Sequence, residues 1–251
     1  AIAEEKAGIA PPGVTLLTAE QKPRVLRVIE RICASQNSKL ERVDLSRLHL
    51  IRSDWDGQVF HWDSLRDLEI SSLGRYQLEN AATALSALEL LKKEPGIRVS
   101  ERAMREGLKK ASWPGRMELL RSRPYLLFDG AKNPAGARAL RASLQALDFE
   151  KLIFVLGIAT RKDISQMVAE IAPQADCVIV SQASYRGSDP EPIAHAIRAF
   201  GVPCEIIARP DQALERALAQ AGADDLVCVT GSLFLVGELR SIWQNRAFAK
   251  V

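Results

Sequence analysis

Along the first part of the chain the apolar positions change period repeatedly. From Pro23 to Ser35, Val25, Leu26, Val28, Ile29, Ile32 and Cys33 recur at three and four, which predicts an amphipathic helix. Ahead of it, the run from Gly13 to Thr18 reads as a short strand. Between Leu40 and Leu73 the apolar residues Leu48, Leu50, Val59, Phe60, Trp62, Leu68 and Ile70 fall in short alternations around the turn Asp54-Trp55-Asp56-Gly57, predicting a small antiparallel region. From Gln77 to Lys92 the chain is rich in Ala and Leu, so a helix is expected, closed by Pro95-Gly96. Ser100 is placed to N-cap a further helix over Arg102 to Lys110.

After Trp113-Pro114-Gly115 the pattern changes character. Apolar runs at 125–128, 152–156, 177–180, 204–207 and 226–229 alternate with helical stretches near 134–147, 163–171, 190–200, 211–219 and 233–244. Strands that are apolar throughout are covered on both faces, so this alternation predicts a doubly wound, mostly parallel, Rossmann-like α/β sheet. Met117 to Leu120 is expected to add an edge strand. Pro and Gly at 114–115 fix a turn, and the domain boundary is expected there, dividing the chain into 1–112 and 113–251.

Composition narrows the classes. The 251 residues are enough for two domains, and 34 Lys+Arg against 31 Asp+Glu leave a formal charge of +3, spread rather than blocked. That distribution argues against a nucleic-acid stripe and against a membrane-surface patch. The four cysteines, Cys33, Cys177, Cys204 and Cys228, show no C-x-x-C spacing, and three lie in apolar runs, as reduced structural thiols of a cytoplasmic protein do. His49, His61 and His195 are too widely spaced for a His/Cys zinc site. No apolar run approaches a membrane span, and the start Ala1-Ile2-Ala3-Glu4-Glu5-Lys6 reads as mid-helix rather than as a signal peptide.

Ligands of open α/β sheets gather at the carboxyl ends of the strands, which makes Asp129, Gly157, Ser181 and Thr230-Gly231-Ser232 candidates by position. Each also has a structural reading. Asp129 could accept from a ribose diol or simply make an Asp-Gly turn. Thr230-Gly231-Ser232 could present amides and hydroxyls to an anion, or could be a tight turn and an N-cap. The loop Gly157 to Asp163 offers two cations and a carboxylate, as a phosphate clamp or as a solvated loop with an Asp cap. Arg116, fixed behind Pro-Gly, could reach a phosphate bidentately at an inter-domain nucleotide site, or could be an ordinary surface Arg.

Taken in order, five segments resemble a known family. Lys6 in Glu5-Lys6-Ala7-Gly8-Ile9, Asn80 in Tyr76-Gln77-Leu78-Glu79-Asn80-Ala81-Ala82, the linker Trp113-Pro114-Gly115-Arg116, Asp129-Gly130-Ala131-Lys132-Asn133-Pro134 and Thr230-Gly231-Ser232-Leu233-Phe234-Leu235-Val236-Gly237 are similar to the folylpolyglutamate and dihydrofolate synthases of the Mur ligase superfamily. The resemblance covers the latter part of that family's chain. It implies the end of an α/β ATPase (Mur ligase central) domain over 1–112 and a glutamate-ligase domain over 113–251. It implies an ATP-dependent amide ligase, using ATP and Mg2+, that joins L-glutamate to a folate or dihydropteroate carboxylate through an acyl phosphate. By resemblance Asn80 contacts adenine, Arg116 the phosphates and Asp129 the ribose, with Lys6, Lys132 and Asp163 in the chemistry. Lys6 matches the family's carbamylated lysine, whose new carboxylate can hold a magnesium ion.

The chain departs from the family in two places. Lys132 stands where the family has His, and Arg161-Lys162-Asp163 where it has Asp-Lys-Asp, so both changes make the cleft more positive and remove a titrating imidazole. They fit a more anionic ligand, or a domain that has lost catalysis. No G-x-x-x-x-G-K-[ST] phosphate loop occurs among the 251 residues; the resemblance puts it upstream of Ala1, so the chain alone is expected not to turn over and to pair, as a monomer, with such a segment. The rival readings are another Mur-type ligase, of peptidoglycan or cyanophycin synthesis, and a non-catalytic nucleotide-binding scaffold.

Overall fold

The computed structural model describes residues 2–248, with side chains to residue 245. The chain forms two compact units: Ala1–Arg52, Gln58–Ser71 and Tyr76–Ala111 make the first, and Ser53–Gly57, Ser72–Arg75 and Ser112–Val251 the second.

In the first unit, α1 (Ile2–Ala7), β1 (Thr15–Thr18), α2 (Pro23–Ser35) and β2 (Lys39–Arg42) are followed by β3 (Leu48–Asp54), β4 (Gly57–Trp62), β5 (Leu65–Ile70), α3 (Arg75–Leu91) and α4 (Glu101–Lys110). α2 begins with Pro at its first turn, where the missing N–H costs nothing, and buries the predicted stripe through Leu26, Ile29 and Cys33. β2 was not expected as a separate element. Lys39-Leu40-Glu41-Arg42 pairs in parallel with β1, Leu16 opposite Leu40, whereas the alternation placed Leu40 at the start of the antiparallel region. Alternation marks a strand's faces and not its direction, so this pairing had no local signature.

Antiparallel order does hold for β3-β4-β5, with β4 and β5 in register from Gln58 opposite Ile70. Phe60, Trp62, Leu68 and Ile70 then share one face and bury against Leu78, Ala82 and Leu85 of α3 and Met104 of α4. Ser100 Oγ accepts from Ala103 N at 3.1 Å, the expected cap of α4. One polar cluster borders this core. Arg47 lies 4.2 Å from the centre of the Trp62 ring and donates to Glu89 Oε1 and Oε2 at 2.6 and 2.9 Å, while Trp62 Nε1 donates to Glu89 Oε1 at 2.9 Å.

In the second unit, β6 (Glu118–Ser122), β7 (Tyr125–Phe128), α5 (Pro134–Leu144), β8 (Leu152–Leu156), α6 (Ile164–Ile171), β9 (Cys177–Val180), α7 (Pro190–Arg198), β10 (Cys204–Ile206), α8 (Pro210–Gln220), β11 (Leu226–Thr230) and α9 (Leu233–Phe248) alternate as expected. They form an α/β sheet in the order β10-β9-β8-β11-β7-β6. The first five strands in that order are parallel, and β6 pairs antiparallel with β7 at the edge. β6 starts at Glu118 and not at Met117, because Met117 is left-handed (φ 47°) and cannot continue a strand.

Both faces of this sheet are buried. Phe128, Ile153, Val155, Ile179, Val227 and Val229 pack with Ala213 and Leu214 of α8 and Leu235 and Leu239 of α9. The intervening Leu127, Phe154, Val178 and Cys228 are equally inaccessible on the opposite face, which leaves them to α5, α6 and α7. Each such side chain contributes roughly 1.5–3 kcal/mol over an exposed one, so continuous apolar strands are what fixes this layer order.

Candidate functional site

The order of strands makes a crevice. β8 leads into α6 on one face of the sheet, and its neighbour β11 leads into α9 on the other, so the two following loops diverge at the carboxyl ends of the strands. Glycines let these loops start close together. A Cβ on Gly157 would lie 2.8 Å from Ser181 O, and one on Gly231, whose φ is +102°, would lie 2.7 Å from Gly157 O. Ser232 N-caps α9, its Oγ accepting from Leu235 N at 3.1 Å, and Thr230 Oγ1 is buried without a partner.

Over this crevice lies a cavity of about 510 Å3. Lys132, Arg161, Lys162 and Arg186 supply its charge, and Leu233 and Phe234 part of its apolar wall. No carboxylate lines it, and none of these four cations has an ion-pair partner among the described residues. The loops that bring two of the cations are tied to each other: Thr160 N donates to Arg186 O, Ser188 N to Ile158 O, both at 2.9 Å, and Ala159 bridges Gly187. Arg161 (φ 62°) and Arg186 (φ 54°) are both left-handed, a conformation that costs a side-chain-bearing residue about 1 kcal/mol or more and persists where its surroundings over-determine it. Arg186 also lies 5.2 Å from the centre of the Tyr185 ring, and Tyr185 meets Phe234 edge to face at 4.9 Å.

Next to the cavity, the linker and the Asp129 turn form one hub. Asp129 is buried; its Oδ2 accepts from Met117 N at 3.0 Å and its Oδ1 from Ala131 N at 2.9 Å. Gly130 N donates to Gly115 O at 2.7 Å. Glu118 Oε2 accepts from both Gly115 N and Arg240 Nε at 2.8 Å, and that carboxylate raises the Arg240 pKa. Arg116 is therefore held by its backbone between two anchored residues; the residue is half-buried and has no ion-pair partner among the described residues.

The remaining sequence candidates fall as follows. Asp163 N-caps α6, Oδ1 accepting from Gln166 N at 3.0 Å and Oδ2 from Gln166 Nε2 at 2.6 Å. Ser181 is fully buried, and its Oγ donates to Ala208 O at 3.0 Å. In the first unit, Asn80 is exposed on α3 and donates to Gln77 Oε1 at 2.8 Å. Lys6 is exposed on α1 and pairs with Glu5 at 2.7 Å. No three His, Cys, Asp or Glu side chains among the described residues cluster as a metal site, so the donors seen do not by themselves fit the expected Mg2+. Burial raises the thiol pKa of Cys177 and Cys204, and pushes that of Cys228 well up, which keeps all of them protonated at neutral pH.

Sequence reasoning did not single out Arg186. Its position one loop after an apolar strand, between Tyr185 and Gly187, was the available signal, since the same carboxyl-end rule that selected Ser181 extends to the loop that follows.

The family profile of the Mur ligase, glutamate ligase domain, matches residues 115–233. By sequence the chain is 29% identical over 259 residues to a protein of Haloferax volcanii described as a probable bifunctional folylpolyglutamate synthase/dihydropteroate synthase, covering 99% of this chain and 30% of that one. It is 28% identical over 266 residues to the dihydrofolate synthase/folylpolyglutamate synthase of Bacillus subtilis, covering 95% and 57%. Among solved structures, Mycobacterium tuberculosis folylpolyglutamate synthase complexed with ADP and AMPPCP is similar with a TM-score of 0.82 at 28% identity, over 96% of this chain and 58% of that one. The chain thus spans 30% to 58% of the length of these relatives.

Proposed function

We propose that this chain, whose residues 115–233 match the Mur ligase, glutamate ligase domain, is the part of an ATP-dependent folylpolyglutamate or dihydrofolate synthase that presents the amine substrate to an activated carboxylate. On this reading residues 1–112 are the end of the ATPase domain and 113–251 the ligase domain. The observation that carries it is the unpaired cationic cavity at the switch point of the sheet, beside an Arg whose guanidinium is free. ATP, when bound, would convert the acceptor carboxylate into an acyl phosphate.

The chain's own residues then have separate tasks. Arg116 suits the phosphates, because its backbone is fixed by the turn and its planar fork has no competing carboxylate. Asp129 suits a role in holding that turn, and the ribose contact rests on the resemblance. Lys132, Arg161, Lys162 and Arg186 suit the carboxylates of an incoming glutamate. Cations around a bound amino acid also disfavour its ammonium, so the cavity would lower the amine's pKa and favour the neutral nucleophile. Lys132 stands where the family has an imidazole, and the part assigned to it here is electrostatic. The described residues offer no donor cluster for Mg2+, and a carbamate on Lys6 remains an expectation from the resemblance.

The phosphate loop is not among these residues, so the chain is expected to be inactive alone. The test is glutamate-dependent ADP release, with folate or dihydropteroate as acceptor, measured with and without a phosphate-loop-bearing segment of a relative. Activity only with the segment and a folate-type acceptor supports the reading. Turnover by the chain alone overturns its inactivity, turnover with UDP-muramyl acceptors instead overturns the folate assignment, and no nucleotide binding even with the segment favours the scaffold.

A further inference from the structure

Three successive amides of the linker turn are occupied: Gly115 N donates to Glu118 Oε2 at 2.8 Å, Arg116 N to Trp113 O at 3.1 Å and Met117 N to Asp129 Oδ2 at 3.0 Å. Gly115 (φ 68°) and Met117 (φ 47°), on either side of Arg116, are both left-handed. Backbone of this kind persists where its surroundings over-determine it, and α9 supplies much of that surrounding. Arg240 Nε donates to Glu118 Oε1 and Oε2 at 3.0 and 2.8 Å, and Arg240 Nη1 to Gln244 Oε1 at 3.1 Å. Val236 lies so close to the turn that a Cβ on Gly115 would come within 2.8 Å of its Cγ1, and Leu233 abuts Gly130, whose N–H donates to Gly115 O at 2.7 Å. Residues 233, 236 and 240, spaced by three and four, share one face of the helix, so α9 bears on the turn and its neighbour along two of its own turns. The side chains of Arg240 and Glu118 are only 27% and 19% exposed, so solvent screens their pairing less than that of a surface pair.

We propose that Glu118 and Arg240 are positioning residues for Arg116: the carboxylate holds the Gly115 amide, the guanidinium from α9 holds the carboxylate, and the turn so braced presents the Arg116 side chain in one place. A neutral acceptor would satisfy the Gly115 amide equally well. What the ion pair adds is a link to α9, whose first residues Leu233 and Phe234 line the cavity, so that the cavity wall and the turn share one rigid element. A long cationic side chain loses rotamer freedom when it binds a ligand, and a backbone fixed beforehand is the part of that cost the fold removes in advance. A displacement of about 1 Å at a positioning element can lower a rate about a hundredfold. The positioning role rests on the reading that Arg116 meets the ATP phosphates, and deepens it by naming the residues that set where Arg116 stands.

The first arm of the test needs no turnover. Amide hydrogen exchange of the full chain, without nucleotide, is compared with that of Arg240→Met, which keeps an unbranched helix former, and of Glu118→Gln, which keeps a neutral acceptor for Gly115 N. The Gly115 amide should exchange about three- to tenfold faster in each, the loss of a charge-assisted, partly buried pair, while the amides of β8 and β11 keep their rates and show that both variants are folded. An unchanged Gly115 rate, or equal acceleration throughout the second unit, overturns the positioning role. In the second arm the chain is complemented with the phosphate-loop-bearing segment of a relative. Each variant should lower kcat/KM for ATP several-fold, leave KM for glutamate within about twofold, and add nothing in an Arg116→Ala background, because the pair acts through that residue. A loss of the same size in both backgrounds assigns the pair to stability alone and overturns its positioning role. If Arg116→Ala leaves kcat/KM for ATP unchanged, the phosphate role of Arg116 falls, while faster Gly115 exchange keeps the brace. If Arg116→Ala lowers it and the other two variants do not, the phosphate role stands and the positioning role falls.

Discussion

At the scale of single residues, the candidate carboxylates divide by what their oxygens already do. Asp129 accepts from two backbone amides in a buried setting, so Asp129→Ala strands the amides of Met117 and Ala131. We expect a loss of about 2–6 kcal/mol of stability for the second unit, roughly 1–3 for each buried unpaired donor, and about half of that for Asp129→Asn, which retains one acceptor; urea denaturation checks both. Asp163 caps a helix with one oxygen, and Asn caps equally well. Asp163→Asn should therefore leave stability within about 0.5 kcal/mol, whereas Asp163→Ala costs about 1. That makes Asp163→Asn a test of charge alone: unchanged ligation in the complemented protein removes Asp163 from the chemistry. Its capping role was legible from Asp at the edge of a helical period. The burial of Asp129 was not, because an Asp-Gly pair reads the same whether its carboxylate faces water or the backbone of a linker twelve residues upstream.

At the scale of elements, the approach of the β8 and β11 ends depends on two missing side chains. Gly157→Ala places a methyl against Ser181 O, and Gly231→Ala both meets Gly157 O and forces a side chain onto φ +102°. Backbone carbonyls cannot swing aside as a flexible side chain does, so each substitution should cost more than about 2 kcal/mol and distort the cavity. Gly237 in α9 is the contrast: a Cβ there would meet nothing within 4 Å, so Gly237→Ala should stabilise by about 0.5–1 kcal/mol through helix propensity. Thermal denaturation of the three variants gives the order. The helices and the parallel strands were legible because their periodicity is local, and caps at Ser100 and Asp163 marked helix starts. The insertion of β11 between β8 and β7 had no such signal, since strand order is settled by long-range packing on two faces. It is that order which creates the crevice, and so the cavity was less legible than the elements lining it.

For the molecule as a whole, a formal charge of +3 conceals where the charge stands: four cations without an ion-pair partner among the described residues meet in one cavity. Charge also gives the first unit its own response to acid. Hydrogen bonding from Arg47 first, and from Trp62, lowers the pKa of Glu89 below its ordinary 4.5, against the opposing effect of burial. The folded state therefore favours the ionised carboxylate. Its contribution is complete above the unfolded value and is lost as pH falls through the lower folded value, because only then does the folded protein take up the proton that the unfolded chain already holds. Glu89 is 43% exposed, so solvent screening holds the effect under about 1 kcal/mol. The two units have separate cores, and a single unfolding free energy would mix them. Native-state hydrogen exchange of the β4 and β5 amides reads the first unit alone. Their opening free energies, corrected for intrinsic exchange, should fall between about pH 6 and about pH 3, and Glu89→Gln should start lower and lose less over the same range. An equal fall in both proteins would assign the acid response to other carboxylates and leave the Arg47, Trp62 and Glu89 cluster as packing alone.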